Sequence, residues 1–350
     1  MITITATRFV GIDLGARRCQ VCVIDCDGTV LVNTSVPSRL DQITAVLLRH
    51  AALPAPVAIE ATFAWYWLAD GLQDLHCDVH LVHAARCAAI TTAKVKTDRR
   101  DADTLAQLLR TGLLPEAYLY PREHRGLRDL TRQRQALVER SSSVLRKMRC
   151  LLYREGHCDH DLDDAKGLAV ADLPRWFPAP LVQHQARALI AELESVTAIR
   201  TAVEEQVLAV AADRPEHALL RSLPGIGKIL ALVIATEIGD IRRFRSSEGF
   251  CSYCRVAPGI AQSGASTRRG RANKAGNPHL KRSLHQAAVA ACANDEAWKR
   301  WRERLLARSS GLGARLKATN AVAHRLARII YRVLLSGTPY EETLARITTT

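Results

Sequence analysis

Four carboxylates in the first third of the chain could share one task. Asp13 closes an apolar run, FVGID, and Glu60 closes another, PVAIE. Both runs read as buried strands, so each acid sits at a strand end. Asp98 and Asp101 lie three apart in KTDRRDADTLAQLLR, at the start of a helical pattern, and therefore share a helix face. Four acids gathered at a sheet edge repel one another unless a cation lies between them. Oxygen ligands of this kind suit Mg²⁺ or Mn²⁺, and such ions activate attacking and leaving oxygens in phosphoryl transfer. Each residue also has a plainer use. Asp13 can be a strand-end acid and Glu60 an ion-pair partner, while Asp98 can cap a helix and Asp101 favour its dipole.

Three further stretches suggest a polyanionic partner. LPGIGK, 223–228, joins two apolar helical patterns and reads as a helix-hairpin-helix turn. There, backbone N–H groups at Gly225 and Gly227, with Lys228, could approach phosphate oxygens. An ordinary tight helical turn would look the same. Between Gly249 and Asn294 there are seven Lys or Arg and no Asp or Glu, among them Arg268, Arg269, Arg271, Lys274, Lys281 and Arg282. Within this basic loop region, 255–279, Ser263 precedes Gly264, which leaves its hydroxyl open to a bulky phosphodiester. A serine in a polar loop is more often a loop residue only.

The elements that must position these groups follow from pattern. Strands are expected over 8–13, 20–25, 30–36, 56–61 and 78–84, and helices over 40–51, 63–75 and 96–110, which together make a mixed α/β sheet. Leu130, Leu137, Val144 and Leu151 then recur at spacing seven, with Val138, Leu145 and Leu152 beside them. Leu189, Val196, Val203 and Val210 repeat the spacing, and Arg200 interrupts the inner row of Leu193 and Val207. Such heptads predict either an antiparallel helical hairpin within one chain or a coiled coil between chains, with 156–180 as a loop. Helices return from 280 onward. The expected domains are 1–118, 119–214 and 215–350.

Composition narrows the function classes. The 350 residues are 48% hydrophobic and 24% charged, with 49 Lys+Arg against 35 Asp+Glu and a formal net charge of +14. The excess points to nucleic acid; solubility alone is the bland alternative. No stretch reaches membrane-span length and the start lacks a signal-peptide pattern, so a cytoplasmic location and reduced thiols are expected for the ten cysteines. Cys19 and Cys22 form a CxxC pair inside a strand, where they point to opposite faces and suit zinc badly. GIDLG also resembles the first phosphate loop of actin-type and Hsp70-type ATPases, but their further glycine-rich phosphate and adenosine loops do not follow.

GIDLG, IEAT, KTDRRDA, LPGIGKILALVIATEIGDIRRF and SGASTRRGRANKAGNPHLKR, in that order, resemble the insertion-sequence-110 transposases, the Piv/MooV-type DEDD recombinases. The resemblance spans nearly the whole chain. It is sharpest over 220–285 and in KTDRRDA, and GRANK stands where the family usually has GRITK. It implies a RuvC-like, ribonuclease-H-type N-terminal domain, a coiled-coil insertion and a mainly helical C-terminal transposase domain. The DEDD acids then fall on Asp13, Glu60, Asp98 and Asp101, with Asp103 a near neighbour. The catalytic serine falls on Ser263 rather than Ser266. The implied chemistry is DNA strand exchange through a serine–DNA intermediate, with Mg²⁺ or Mn²⁺ on the acids. The implied partners are donor and target DNA, a structured noncoding guide RNA, and further copies of the chain in a homodimer or homotetramer. A metal-dependent nuclease that uses water is the rival, and a decayed, purely binding protein the third reading.

Overall fold

The computed structural model describes residues 7–83, 86–87, 98–159, 162–211, 214–257, 260–263, 266–269, 275–308, 311 and 313–340, without the side chains of 162–164, 211, 260–263 and 266–269. The chain divides into two compact units, Met1–Glu123 and His124–Thr350. The described residues form one five-stranded sheet, one two-stranded sheet and thirteen α-helices.

In the first unit, strands β1 (Arg8–Leu14), β2 (Arg18–Asp25) and β3 (Val30–Pro37) form an antiparallel meander. Helix α1 (Leu40–Arg49) leads to β4 (Pro56–Glu60), which pairs parallel to β1. Helix α2 (Trp65–Asp74) leads to β5 (Asp78–Val82), parallel to β4, so the order is β3-β2-β1-β4-β5. These bounds match the expected strands and helices to within a residue or two.

Period-two alternation sends the sheet's side chains to two apolar layers. Val10, Ile12, Val21, Val57 and Ile59 pack beneath α1 and α2, through Ile43, Leu47, Leu68 and Leu72. Phe9, Cys22, Ile24, Ala58 and Val82 face the other way, onto α3 (Asp98–Arg110) through Ala102, Leu105, Ala106 and Leu109. Cys19 and Cys22 thus fall in opposite layers, as strand periodicity requires. Burial pushes the Cys22 thiol up to about 12, a protonated core residue. All ten cysteines are free.

The second unit opens with α4 (Arg122–Arg154), 33 residues long, and contains its 32-residue counterpart α7 (Pro180–Ala211). Arg134 bonds Glu204, Arg140 bonds Glu192 and Arg154 bonds Gln185. Rising numbers on one helix meet falling numbers on the other, so the heptad helices pair antiparallel within the chain. Between them the expected loop contains short helices, α5 (Leu162–Gly167) and α6 (Leu173–Trp176). The physical reason is apolar: Leu173 and Phe177 are fully buried against Val144, Met148, Leu151 and Ile190, closing the end of the hairpin.

The remaining helices are α8 (Pro215–Arg221), α9 (Lys228–Ile238), α10 (Ser247–Tyr253), α11 (Pro278–Asn294), α12 (Glu296–Ala307) and α13 (Ala314–Ser336). They share one core around Ile234, Phe250, Leu284, Ala288, Leu326 and Ile330. Val207 of α7 packs on Leu232 of α9, with Leu127, Leu130 and Val203 around them, which ties the hairpin to the helices of the same unit. The region expected to be loop, 255–279, contains a hairpin of β6 (Ile260–Ser263) and β7 (Ser266–Arg269). Two strands separated by two residues, 264–265, satisfy their backbone groups by pairing with each other, a solution open to a polar sequence as well as an apolar one. Among the described residues no helix is long and apolar enough to cross a membrane.

Candidate active site at the sheet edge

Backbone register brings the four acids to one end of the sheet. Ile12 pairs with Ile59, so Asp13 and Glu60, one residue on, end neighbouring parallel strands side by side. Asp13 follows Phe9 and Gly11 on alternate positions, and Glu60 follows Ala58, so both belong to the face that α3 covers. The direction of α3 follows from its two ends. Gln107 donates to the carbonyl of Gly28 at 2.8 Å, and Arg110 to that of Cys26 at 3.3 Å. Those carbonyls lie in the turn after β2, beside the start of β1, where Arg8 pairs with Asp25. The first turn of α3 therefore lies toward the other end, where β1 and β4 finish. Asn33 of β3 donates to the carbonyl of Arg99 at 2.8 Å and ties that first turn to the sheet.

Asp98 and Asp101 extend the sheet-facing stripe of α3. They precede Ala102 and Leu105 by four residues each, so they continue the apolar row past the end of the core. Asp103 also turns toward the sheet: one of its side-chain oxygens is buried, and its charge acts on Cys22 of β2. Asp98 is exposed, while Asp13, Glu60 and Asp101 are half-buried. Among the described residues no three His, Cys, Asp or Glu side chains stand close enough together to hold an ion. The acids thus share an edge and a face without closing into a ligand shell.

Gly11 makes this arrangement possible. A Cβ there would lie 2.1 Å from the carbonyl oxygen of Ala102 and 2.6 Å from the nitrogen of Ala106. Only glycine on the strand, opposite alanines on the helix, lets α3 sit this low on β1.

The basic segments of the second unit are built differently. Gly225, with φ +79°, turns its missing Cβ against α11, where it would lie 2.3 Å from the Ala287 oxygen and 2.4 Å from the Ala291 nitrogen. Its close approach is to protein backbone. Gly227 caps α9 with nothing within 4 Å of the Cβ position, and Lys228 beside it is exposed. Ser263 ends β6 opposite Ser266, and Arg268 and Arg269 lie in β7. Arg271 and Lys274 lie outside the described residues. On α11, Lys281 is half-buried, and exposed Arg282 is ion-paired with Glu139 of α4.

A buried polar network stands just beyond this hairpin, and sequence reasoning missed it. Glu237 of α9 is 2% exposed. Arg132 of α4 grips it with both nitrogens, at 2.5 and 2.8 Å, and the Asn277 amide donates to it at 2.7 Å. Burial alone would push the Glu237 carboxyl up; the Arg132 hydrogen bonds and charge outweigh it and, with Asn277, hold it below 4.5. The Asn277 side-chain oxygen in turn accepts from the backbone of His279 and Leu280 and caps α11. The signal available was a lone glutamate in the apolar run ILALVIATEIGD, with an arginine on a heptad helix to answer it.

Residues 10–155 match the DEDD transposase model of the IS110 group, and residues 217–302 match the model of the IS116/IS110/IS902 transposase family. A Sinorhizobium fredii protein named as a transposase, y4qE, is 29% identical over 67% of this chain and 63% of its own length. A Pseudomonas aeruginosa protein named as a family 20 transposase is 27% identical over 82% of this chain and 86% of its own length. An uncharacterised protein of insertion element IS110 from Streptomyces coelicolor is 30% identical over 44% of this chain and 37% of its own length. The chain thus spans less than two thirds of the first and third of these relatives. Two family models in chain order, one over the acids and the other over the glycine turn and the serine hairpin, agree on one lineage: the chain belongs to the IS110 family of insertion-sequence transposases.

Proposed function

We propose that this chain is a DNA transposase that cuts and rejoins strands through Ser263, assisted by divalent cations on Asp13, Glu60, Asp98 and Asp101. The observation that carries the reading is the placement of those four acids at one sheet edge, on the α3 face. The donors fit a hard divalent ion, since carboxylate oxygens are what Mg²⁺ and Mn²⁺ take, and the first turn of a helix tolerates clustered negative charge. When bound, such an ion supplies charge neutralisation at a phosphate. The first unit is read as RuvC-like on the same grounds.

The Ser263 hydroxyl attacks phosphorus, forming an Oγ–P bond. The sugar oxygen on the far side of the phosphorus leaves and takes up a proton, which frees a DNA hydroxyl. A hydroxyl of a second strand then attacks the same phosphorus, and the serine regains its proton as the strands join. Between these steps the phosphate-bearing end stays joined to Ser263 and the other end is a free hydroxyl. Serine at its ordinary pKa needs activation, which the acid edge of a second protomer would provide in a homodimer or homotetramer. Arg268, Arg269, Arg271, Lys274, Lys281, Gly227 and Lys228 would hold phosphates of DNA or of a structured guide RNA, in keeping with the net charge of +14.

A denaturing gel with end-labelled DNA from the element's boundary tests this. Wild-type protein should leave a labelled protein–DNA adduct, and Ser263→Ala should leave none. Free cleaved ends from Ser263→Ala, with no adduct from the wild type, would replace the serine by water. Mixing Asp13→Ala and Ser263→Ala proteins should restore adducts if acids and serine come from different protomers; no rescue would put them in one.

A further inference from the structure

The chain has five phenylalanines, and one of them is out of place. Phe9, Phe177 and Phe250 are buried, and Phe244 packs edge-on against Phe250. Phe63 is 90% exposed. It stands three residues beyond Glu60, in the short turn from β4 into α2, where the Thr62 amide bonds back to the Glu60 carbonyl at 2.8 Å. Three residues of chain reach about 10 Å at most, so the ring sits beside the acid edge. Trp67, one helical turn further, is 37% exposed. Three exposed cations come from the same end of the sheet: Arg17 in the turn after β1, and Arg99 and Arg100 in the first turn of α3.

We propose that Phe63 is a base-stacking residue that takes one unpaired nucleobase of the DNA strand whose phosphate is presented to the acid edge. This rests on the reading of that edge as the site of phosphoryl transfer. An apolar ring held in water loses free energy unless something covers it, and a nucleobase offers a flat apolar face of matching size. The surroundings favour a nucleic acid over an apolar protein surface. Acids able to hold a cation and three arginines lie at the same end of the sheet as the phenylalanine, and such charges would be costly to bury against a protein. A strand held by its phosphates on those charges presents bases alongside, and stacking one of them fixes which phosphate reaches the acids. Phe63 is then a positioning residue.

The probe is a short single-stranded oligo-dT carrying one 2-aminopurine, mixed with full-length protein in EDTA so that no cleavage occurs. Wild-type protein should change the 2-aminopurine fluorescence on binding. Phe63→Ala should weaken binding about 5- to 150-fold, the range that one base–aromatic stack is worth. Phe63→Trp should restore both affinity and fluorescence change, and Phe63→Leu, equally apolar but without a ring, should restore neither. The unfolding temperature should not move, because the side chain touches little. Equal binding by wild type and Phe63→Ala, or full rescue by leucine, would overturn the proposal. So would unchanged oligonucleotide binding with a shift in sedimentation, which would put Phe63 at a contact between copies. Loss of stacking would leave the serine adduct assay of wild-type protein untouched, and absence of that adduct would leave the fluorescence result standing, so the two failures are told apart.

Discussion

Gly11 in the first unit and Gly225 in the second each bring a helix backbone against another element, and the two cases divide labour differently. At Gly11 the helix α3 sinks onto strand β1 between purely apolar layers, and the acids appear only where that stripe runs past the end of the sheet. At Gly225 the turn before α9 sinks onto α11, and at the far end of α9 lies a buried charge, Glu237, held by Arg132 and Asn277. The first unit positions charged groups at its rim and keeps its interior apolar. The second fixes a helix start with a charge inside its core. A buried ion pair is a poor source of net stability but an exacting one, since removing either partner strands the other.

The largest effect should come from that stranding. Glu237→Ala leaves Arg132 and the Asn277 amide without their acceptor and should cost about 3–5 kcal/mol, read as a lower midpoint in urea unfolding at neutral pH. Glu237→Gln, which keeps an acceptor for Asn277, should cost less. The pH dependence has a fixed sign. The folded-state carboxyl is held below 4.5, so its contribution is present above that value and is lost as pH falls through the lowered one. The wild type's advantage over Glu237→Gln should therefore shrink in acid below about pH 4.5. An advantage that grows in acid would mean the carboxylate is held as the neutral acid.

The two glycines should part company when each becomes alanine. Gly225→Ala meets backbone at 2.3 Å and must also hold φ +79°. The left-handed conformation costs about 1–2 kcal/mol and overpacking about 1–3. Gly11→Ala meets backbone at 2.1 Å without the dihedral cost, so its stability loss should be the overpacking alone, about 1–3 kcal/mol. Its effect on chemistry should be the greater. Lifting α3 moves Asp98 and Asp101 away from Asp13 and Glu60, and a displacement near 1 Å costs on the order of 100-fold in rate. Adduct formation by Gly11→Ala well below that of the more destabilised Gly225→Ala would confirm that Gly11 sets the acid edge. Equal rates in the two variants would mean that α3 absorbs the change without moving its first turn.

This contrast also explains what could be read before the fold was known. Asp13 and Glu60 were legible because strands end where apolar alternation ends, and Asp98 and Asp101 because helical spacing alone puts them on one face. Their common edge needed the parallel register of β1 with β4 and the direction of α3, neither of which spacing encodes. The second unit was less legible. Gly225 in LPGIGK looks like a phosphate-binding glycine by type, but whether its close neighbour is phosphate or Ala287 depends on a helix about sixty residues later. The Arg132–Glu237–Asn277 network joins positions 105 and 40 residues apart, and no local pattern marks such a triad. Even the 260–269 hairpin escaped notice, because strand pairing between polar segments leaves no hydrophobic alternation to detect.

The smallest effect tests the hairpin's register. Arg140 reaches Glu192 at 3.1 Å with its side chain 64% exposed, and Arg134 reaches Glu204 at 2.7 Å with 22% exposed. If both pairs mark the same antiparallel alignment, they should differ only in screening. A double-mutant cycle on Arg140 and Glu192 should return about 0.2–1 kcal/mol and fade as salt is raised, since an exposed pair gains little Coulomb energy and orders two long side chains. The cycle on Arg134 and Glu204 should return more and fade less, because both carriers are three-quarters withdrawn from water. A cycle on the mismatched pair Arg140 and Glu204 should return nothing. A coupling there as large as in the matched pairs would mean that the two helices slide past one another by turns, and that the apolar end at Leu173 and Phe177, rather than charge, sets where they stop.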